Sequence, residues 1–142
     1  MWILLAVVVL VSAVFVVFSP AGSPAPTKGE LCKLAGGRYS GRTSQGKPFC
    51  FTLWKSGGRI SEYAYGFRDS CGAGTSRTTG RNGIPVAANG SFTATFSESY
   101  VKGRISGSTA SGTLRSKRTE YGAVPPVTCD SGIVRWTAQR KG

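Results

Sequence analysis

The chain has 142 residues, with 18 Lys and Arg against 6 Asp and Glu, no histidine and a formal net charge of +12. The missing histidine excludes Ser-His-Asp and Cys-His catalysis and any His-ligated metal site. The basic excess favours polyanionic neighbours, and it equally keeps a small domain dispersed.

Met1 to Thr27 carry no charged side chain, and Ser12 is the only polar side chain between Trp2 and Phe18. An N-terminal hydrophobic helix is expected here. The run sits near the lower limit for a membrane-spanning helix, about 17 residues. Ser19 and Ala21 fit the small-x-small rule for cleavage after Ala21, although a basic start is missing. Residues 1–21 therefore read as a signal peptide or as a retained anchor entering the membrane through residues 2–18. Lys28 and the cations after it would favour a cytoplasmic side under the positive-inside rule, but that rule weakens for folded domains. Residues 22–29 are a Pro/Ser/Gly linker. Residues 30–142 make one small domain. The expected location is secreted, or anchored at the extracytoplasmic face of a membrane.

Within the domain, Arg38 to Arg42 opens the pattern and Thr43 to Gly46 reads as a hairpin turn. Lys47 to Lys55 alternates, with Phe49, Phe51 and Leu53 on one face and Cys50, Thr52 and Trp54 on the other. Such a period of two marks a strand. Arg59 to Arg68 is a third strand carrying Tyr63, Tyr65 and Phe67, whereas Asp69 to Gly83 reads as a loop or weak edge strand around Cys71. Ile84 to Val86 reads as a short strand, and Asn89-Gly90 is a turn dipeptide.

Three alternating segments follow. Gly90 to Ser97 alternates Phe92, Ala94 and Phe96. Tyr100 to Ser106 places Val101, Gly103 and Ile105 inward, with Lys102 and Arg104 outward. Thr109 to Lys117 places Ala110, Gly112 and Leu114 inward, with Thr113, Arg115 and Lys117 outward. A loop holding Pro125-Pro126 leads to Gly132–Ala138, with Val134 and Trp136 inward. The small inward residues Gly103, Ala110 and Gly112 imply close packing against a large ring, with Trp136 and Phe96 as candidates.

Strands recurring every 8 to 12 residues with glycine turns predict an all-β fold, an antiparallel sandwich or small barrel of about 7–9 short strands. The four cysteines, Cys32, Cys50, Cys71 and Cys129, behind an export leader read as two disulfides. Counting alone allows three pairings. A metal site is disfavoured by the lack of histidine and of any C-x-x-C, and no cofactor is expected.

Gly37-Arg38-Tyr39-Ser40-Gly41 with Thr43-Ser44-Gln45-Gly46, then Gly112-Thr113-Leu114-Arg115, then Cys129-Asp130-Ser131-Gly132-Ile133-Val134-Arg135-Trp136-Thr137-Ala138 resemble a group of small exported β-domains among actinobacterial hypothetical proteins. The likeness covers Gly37 to Ala138. It implies an architecture and a disulfide, and no activity. Cys71 and Cys129 match the group's cysteine pair. Cys50 stands where the group has an ordinary strand residue, and Cys32 lies outside the shared region, which leaves Cys32–Cys50 as an additional bridge.

The acidic residues Glu30, Glu62, Asp69, Glu98, Glu120 and Asp130 share no obvious strand face, and Ser44 and Ser131 read as turn residues, so no catalytic constellation emerges. The notable cluster is basic. Lys102, Arg104, Arg115 and Lys117 fall on the outward faces of two successive strands, where pairing would bring them side by side, and Arg135 joins if the last strand is adjacent. Arginine forks suit phosphate or carboxylate, while the plain alternative is a solvated sheet face. Tyr63 and Tyr65 read as packing residues before a sugar platform. The expected function is a non-catalytic envelope module that binds an anionic cell-wall polymer, polysaccharide or lipid head groups, with intracellular nucleic acid disfavoured. The alternatives are a small cell-wall hydrolase and a secreted cationic antibacterial or inhibitory protein.

Overall fold

The computed structural model describes residues 31–33, 39–54 and 56–142, without the side chains of Gly80 and Arg81. The leader, its expected helix and the linker lie outside the described residues, among which no helix is long and apolar enough to cross a membrane.

The described residues form ten antiparallel strands: β1 (Tyr39–Thr43), β2 (Pro48–Leu53), β3 (Arg59–Asp69), β4 (Gly72–Pro85), β5 (Ser91–Phe96), β6 (Ser99–Ser106), β7 (Thr109–Arg115), β8 (Lys117–Glu120), β9 (Val127–Asp130) and β10 (Val134–Arg140). Eight share one sheet in the order β4-β3-β2-β1-β10-β7-β6-β5, and β8 and β9 form a separate ribbon. Of the two expected architectures, the sandwich is therefore set aside. A single sheet curls into a half-barrel.

The connection between the two edge strands explains the curl. In a flat sheet, spacings of about 4.8 Å would put β4 and β5 about 34 Å apart. The chain from Pro85 to Ser91 can reach at most about 22 Å. Curling brings the edges together, and the rings record it. Phe92 of β5 lies 5.8 Å from Phe51 of β2, and Phe96 lies 6.3 Å from Tyr63 of β3.

The concave side is the core. Trp136 is fully buried and stacks on Phe49 with ring centroids 4.0 Å apart. Its six-membered ring lies over β7 and β6. A Cβ on Gly103 would stand 2.4 Å from Trp136 Cζ2, and one on Gly112 would stand 2.0 Å from the Lys102 carbonyl oxygen and 2.8 Å from the same Cζ2. The small inward residues thus do face a large ring, and it is Trp136. Phe96 is half exposed and lies at the rim. The indole Nε1 of Trp136 has no hydrogen-bond partner among the described residues, so the ring itself is held by packing.

Several expectations need correction. Asp69–Gly83 is not a loop, and of the two alternatives the edge strand is the one formed, as a long strand at one edge of the sheet. Most of it, with Ile84, belongs to β4, which pairs with β3 from Arg59↔Pro85 to Asp69↔Gly72. Alternation is missing because the rings of β3 cover the backbone of β4. A Cβ on Gly74 would stand 2.6 Å from Phe67 Cζ, so small residues are required there. The strand expected over Thr109–Lys117 ends at Arg115; Ser116 is buried, and Lys117 opens the ribbon. The Pro125-Pro126 segment is a loop as expected and forms the tip of that ribbon, whereas Trp54, expected on a strand face, lies beyond β2 with the Arg59 guanidinium 5.8 Å over its ring.

Both disulfides are formed, Cys32–Cys50 and Cys71–Cys129, with Cα–Cα distances of 5.6 and 5.4 Å. The first covers the outer face of β2, where Leu31, Cys50 and Ala64 make a small buried cluster. The second ties β9 to the β3–β4 turn. Ser70 Oγ accepts from Asp130 N at 3.1 Å and Arg118 Nε donates to Asp69 Oδ2 at 3.2 Å, so the ribbon is fixed across one end of the half-barrel.

Candidate anion-binding face

Strands β1, β5, β6, β7 and β10 contain no Asp or Glu. Their outward positions carry Arg42, Lys102, Arg104, Arg115 and Arg135 among serines and threonines, while Arg140 stands opposite the inward Tyr39. The register does not set like charges directly opposite one another. Lys102 pairs with Thr113, and Thr113 pairs with Arg135. Arg104 pairs with Ser111, Ser111 with Thr137, and Thr137 with Arg42. Hydroxyl residues thus separate the cations, by about 10 Å across two spacings and about 14 Å across three. The repulsion of directly opposed charges is avoided.

The five expected cations divide into two groups. Arg115 and Lys117 are committed to carboxylates. Arg115 Nε donates to Asp130 Oδ1 at 3.0 Å while its Nη2 holds Oδ2, and Lys117 pairs with Glu98. This fork, with a further bond from the Gly132 N–H, holds the Asp130 carboxyl down at about 2, and the same bond raises the Arg115 pKa. The other three keep their charge free of carboxylates. Arg104 Nε donates to the Asn89 carbonyl at 2.9 Å, and the Lys102 ammonium lies 5.2 Å over the Tyr100 ring. Arg135 bonds through its backbone to Ser44, and its guanidinium has no protein partner among the described residues.

Two neighbouring hollows cross this face. One, of about 520 Å³, is lined by Ser40, Arg42, Thr109, Ser111, Thr137, Gln139 and Lys141. The other, of about 220 Å³, is lined by Arg42, Ser44, Arg135 and Thr137. Arg42 and Thr137 belong to both. Arg42 donates to the Gly46 carbonyl at 3.1 Å, which fixes the guanidinium at their junction. Arg42 and Lys141 were not among the residues expected from sequence. Their signal was the absence of acid from β1 and β10, visible only once those strands are known to be neighbours of β7.

Each carboxylate among the described residues is engaged by a cation. The pairs are Glu62 with Arg77, Asp69 and Glu120 with Arg118, Glu98 with Lys117, and Asp130 with Arg115. Asp69, Cys71 and Cys129 lie close together, but the sulfurs are joined to each other and Asp69 accepts the Cys71 N–H. A disulfide offers no thiolate to a metal.

The open seam between β4 and β5 holds hollows of about 330 and 260 Å³ that share Thr78 and Phe96. Tyr63 and Tyr65 lie on their floor as buried packing residues. Burial raises the pKa of both phenols, Tyr63 to about 12, although hydrogen bonds with Thr78 and Ser76 pull the other way.

No protein-family model, curated protein or solved structure matches the chain.

Proposed function

We propose that the domain is an exported, non-catalytic module of the cell envelope that binds an anionic polymer on the outer face of β1, β10, β7 and β6. The observation that carries this reading is an acid-free, hydroxyl-rich face whose hollows are bordered by Arg42, Arg135 and Lys141. Guanidinium groups free of carboxylates can fork onto phosphate or carboxylate oxygens, and neighbouring serines and threonines donate to the rest. The separation of the cations suits a repeating polyanion better than one compact ion. Two disulfides agree with an oxidising, extracytoplasmic compartment.

The test is retention on immobilised polyphosphate and on polygalacturonate. Reversal of Arg42→Glu and Arg135→Glu together is expected to abolish retention at physiological salt. Stability should stay within about 0.5 kcal/mol, as for exposed substitutions generally. Lys117→Glu, which removes a cation already committed to Glu98, should weaken retention far less. Unchanged retention of the Arg42/Arg135 variant would overturn the reading, and the stronger of the two columns identifies the anion.

A further inference from the structure

The β8–β9 ribbon ends in an apolar tip that is left uncovered among the described residues. From Tyr121 to Cys129 the chain carries no charged residue. Tyr121 is 81% exposed, Val124 98% and Val127 46%. Ile133, just beyond the ribbon, is 70% exposed. Large apolar groups at this exposure, gathered within one short segment, mark a contact surface. The ribbon beneath them is rigid: Cys129 is bonded to Cys71, Arg118 to Asp69, and Asp130 to Ser70 and Arg115. A disulfide and ion pairs thus hold an exposed tip in place.

The end of the half-barrel to which the ribbon is tied indicates the partner. The β1–β2 and β3–β4 turns lie at the same end of the half-barrel, joined by paired bonds between Gln45 and Arg68, 2.8 Å and 2.7 Å. Lys47 and Arg68 at that end make no ion pair among the described residues. A stable protein interface needs about 800 Å² from each partner, more than three side chains on a narrow hairpin supply. A bilayer surface needs less. Long-range attraction comes from basic charge acting on anionic headgroups, and a few apolar side chains then enter the interfacial layer. Tyrosine suits that layer because its ring is apolar and its hydroxyl remains wet.

We infer that the β8–β9 tip is a membrane-contact element, which seats Tyr121, Val124 and Val127 in the interface of a bilayer bearing anionic headgroups. The inference stands on the tip and is independent of the polymer-binding face.

The experiment uses the full chain as recovered from its host, and its read-out is local to two labelled positions, so that a leader entering the membrane does not decide the result. An environment-sensitive fluorophore is attached at Val124→Cys, and in a second variant at Ser108→Cys. Ser108 is exposed in the β6–β7 turn at the opposite end of the half-barrel. Both proteins are mixed with vesicles of phosphatidylcholine alone and of phosphatidylcholine with about one-third phosphatidylglycerol. Some of the vesicles carry a lipid quencher at the headgroup–acyl boundary. The expected result is a blue shift and severalfold quenching at position 124 on anionic vesicles, little on neutral ones, and none at position 108. Equal quenching at both positions, or none at either, would overturn the proposal. So would a blue shift at position 124 that rises with protein concentration without lipid, because the tip would then be a contact between copies. Loss of polymer retention in the Arg42/Arg135 variant with tip quenching intact would separate the two surfaces.

Discussion

The five-strand face and the ribbon end use the same kind of charge in opposite ways. Around the ribbon, Arg115, Lys117 and Arg118 are matched with Asp130, Glu98, Asp69 and Glu120, and the backbone is tied by Cys71–Cys129. On the face of β1, β10, β7 and β6, Arg42, Lys102, Arg104 and Arg135 meet no acid among the described residues, and the strands beneath them are held by ring packing around Trp136. Where cations hold a ribbon with little core, they are paired. Where the core suffices, they are left for solvent or a ligand. A cation's sequence position does not show which of the two it does; its neighbours across the sheet do.

The largest effect should come from breaking the packed region. Trp136→Ala removes the ring that fills the space left by Gly103 and Gly112, and the expected loss is about 3–5 kcal/mol in urea unfolding. Because no ionic interaction is involved, the loss should be nearly independent of salt. A strong salt dependence would show that the face is held by charge after all.

Second in size is the ribbon staple. Replacing Cys71 and Cys129 together by serine should cost about 2–4 kcal/mol. The half-barrel should remain folded, and retention on polyanion should persist at temperatures where the variant is native. Loss of retention in the folded variant would mean that the ribbon takes part in the polymer site. Asp69→Ala comes next, with an expected cost of about 2 kcal/mol, since it strips a buried acceptor from Cys71 N and a partner from Arg118.

Much of this division can be read in the sequence, and its limits have physical causes. Alternation located the inward faces of β2, β6, β7 and β10, because one face of each is buried against rings. It failed on β4, where the aromatic residues of β3 require small partners and remove the alternation. It also failed on the ribbon, whose tip has no buried face to impose a period. The cysteine pairing came from the resemblance to exported β-domains, and the structure contains both bridges. The basic cluster was legible as composition, while the commitment of Arg115 and Lys117 depended on Asp130 and Glu98, distant in sequence or separated by a turn. Arg42 became a candidate only through the insertion of β10 between β1 and β7, a topology that local pattern does not encode.

The smallest expected effects are in the pH dependence, and they separate the two regions once more. Burial raises Tyr63 from 10.0 to about 12. The folded state therefore prefers the neutral phenol. Its contribution is complete below pH 10 and is lost as pH rises from 10 towards 12, because the unfolded chain ionises first. Tyr63→Phe should flatten that alkaline limb. At the ribbon the sign reverses. The Arg115 fork and the Gly132 N–H lower Asp130 from 3.8 to about 2, so the folded state prefers the carboxylate. Its contribution is present above about pH 4 and disappears as pH falls towards 2. Asp130→Asn keeps an oxygen for the Gly132 N–H but removes the charge, and urea unfolding followed from pH 5 to pH 2 should then lose part of its acid slope. Added salt should reduce that slope in the native protein, because the pair is largely exposed, and leave the Tyr63 limb in place. An acid slope unchanged by Asp130→Asn would show that the fork with Arg115 does not set the acid limb.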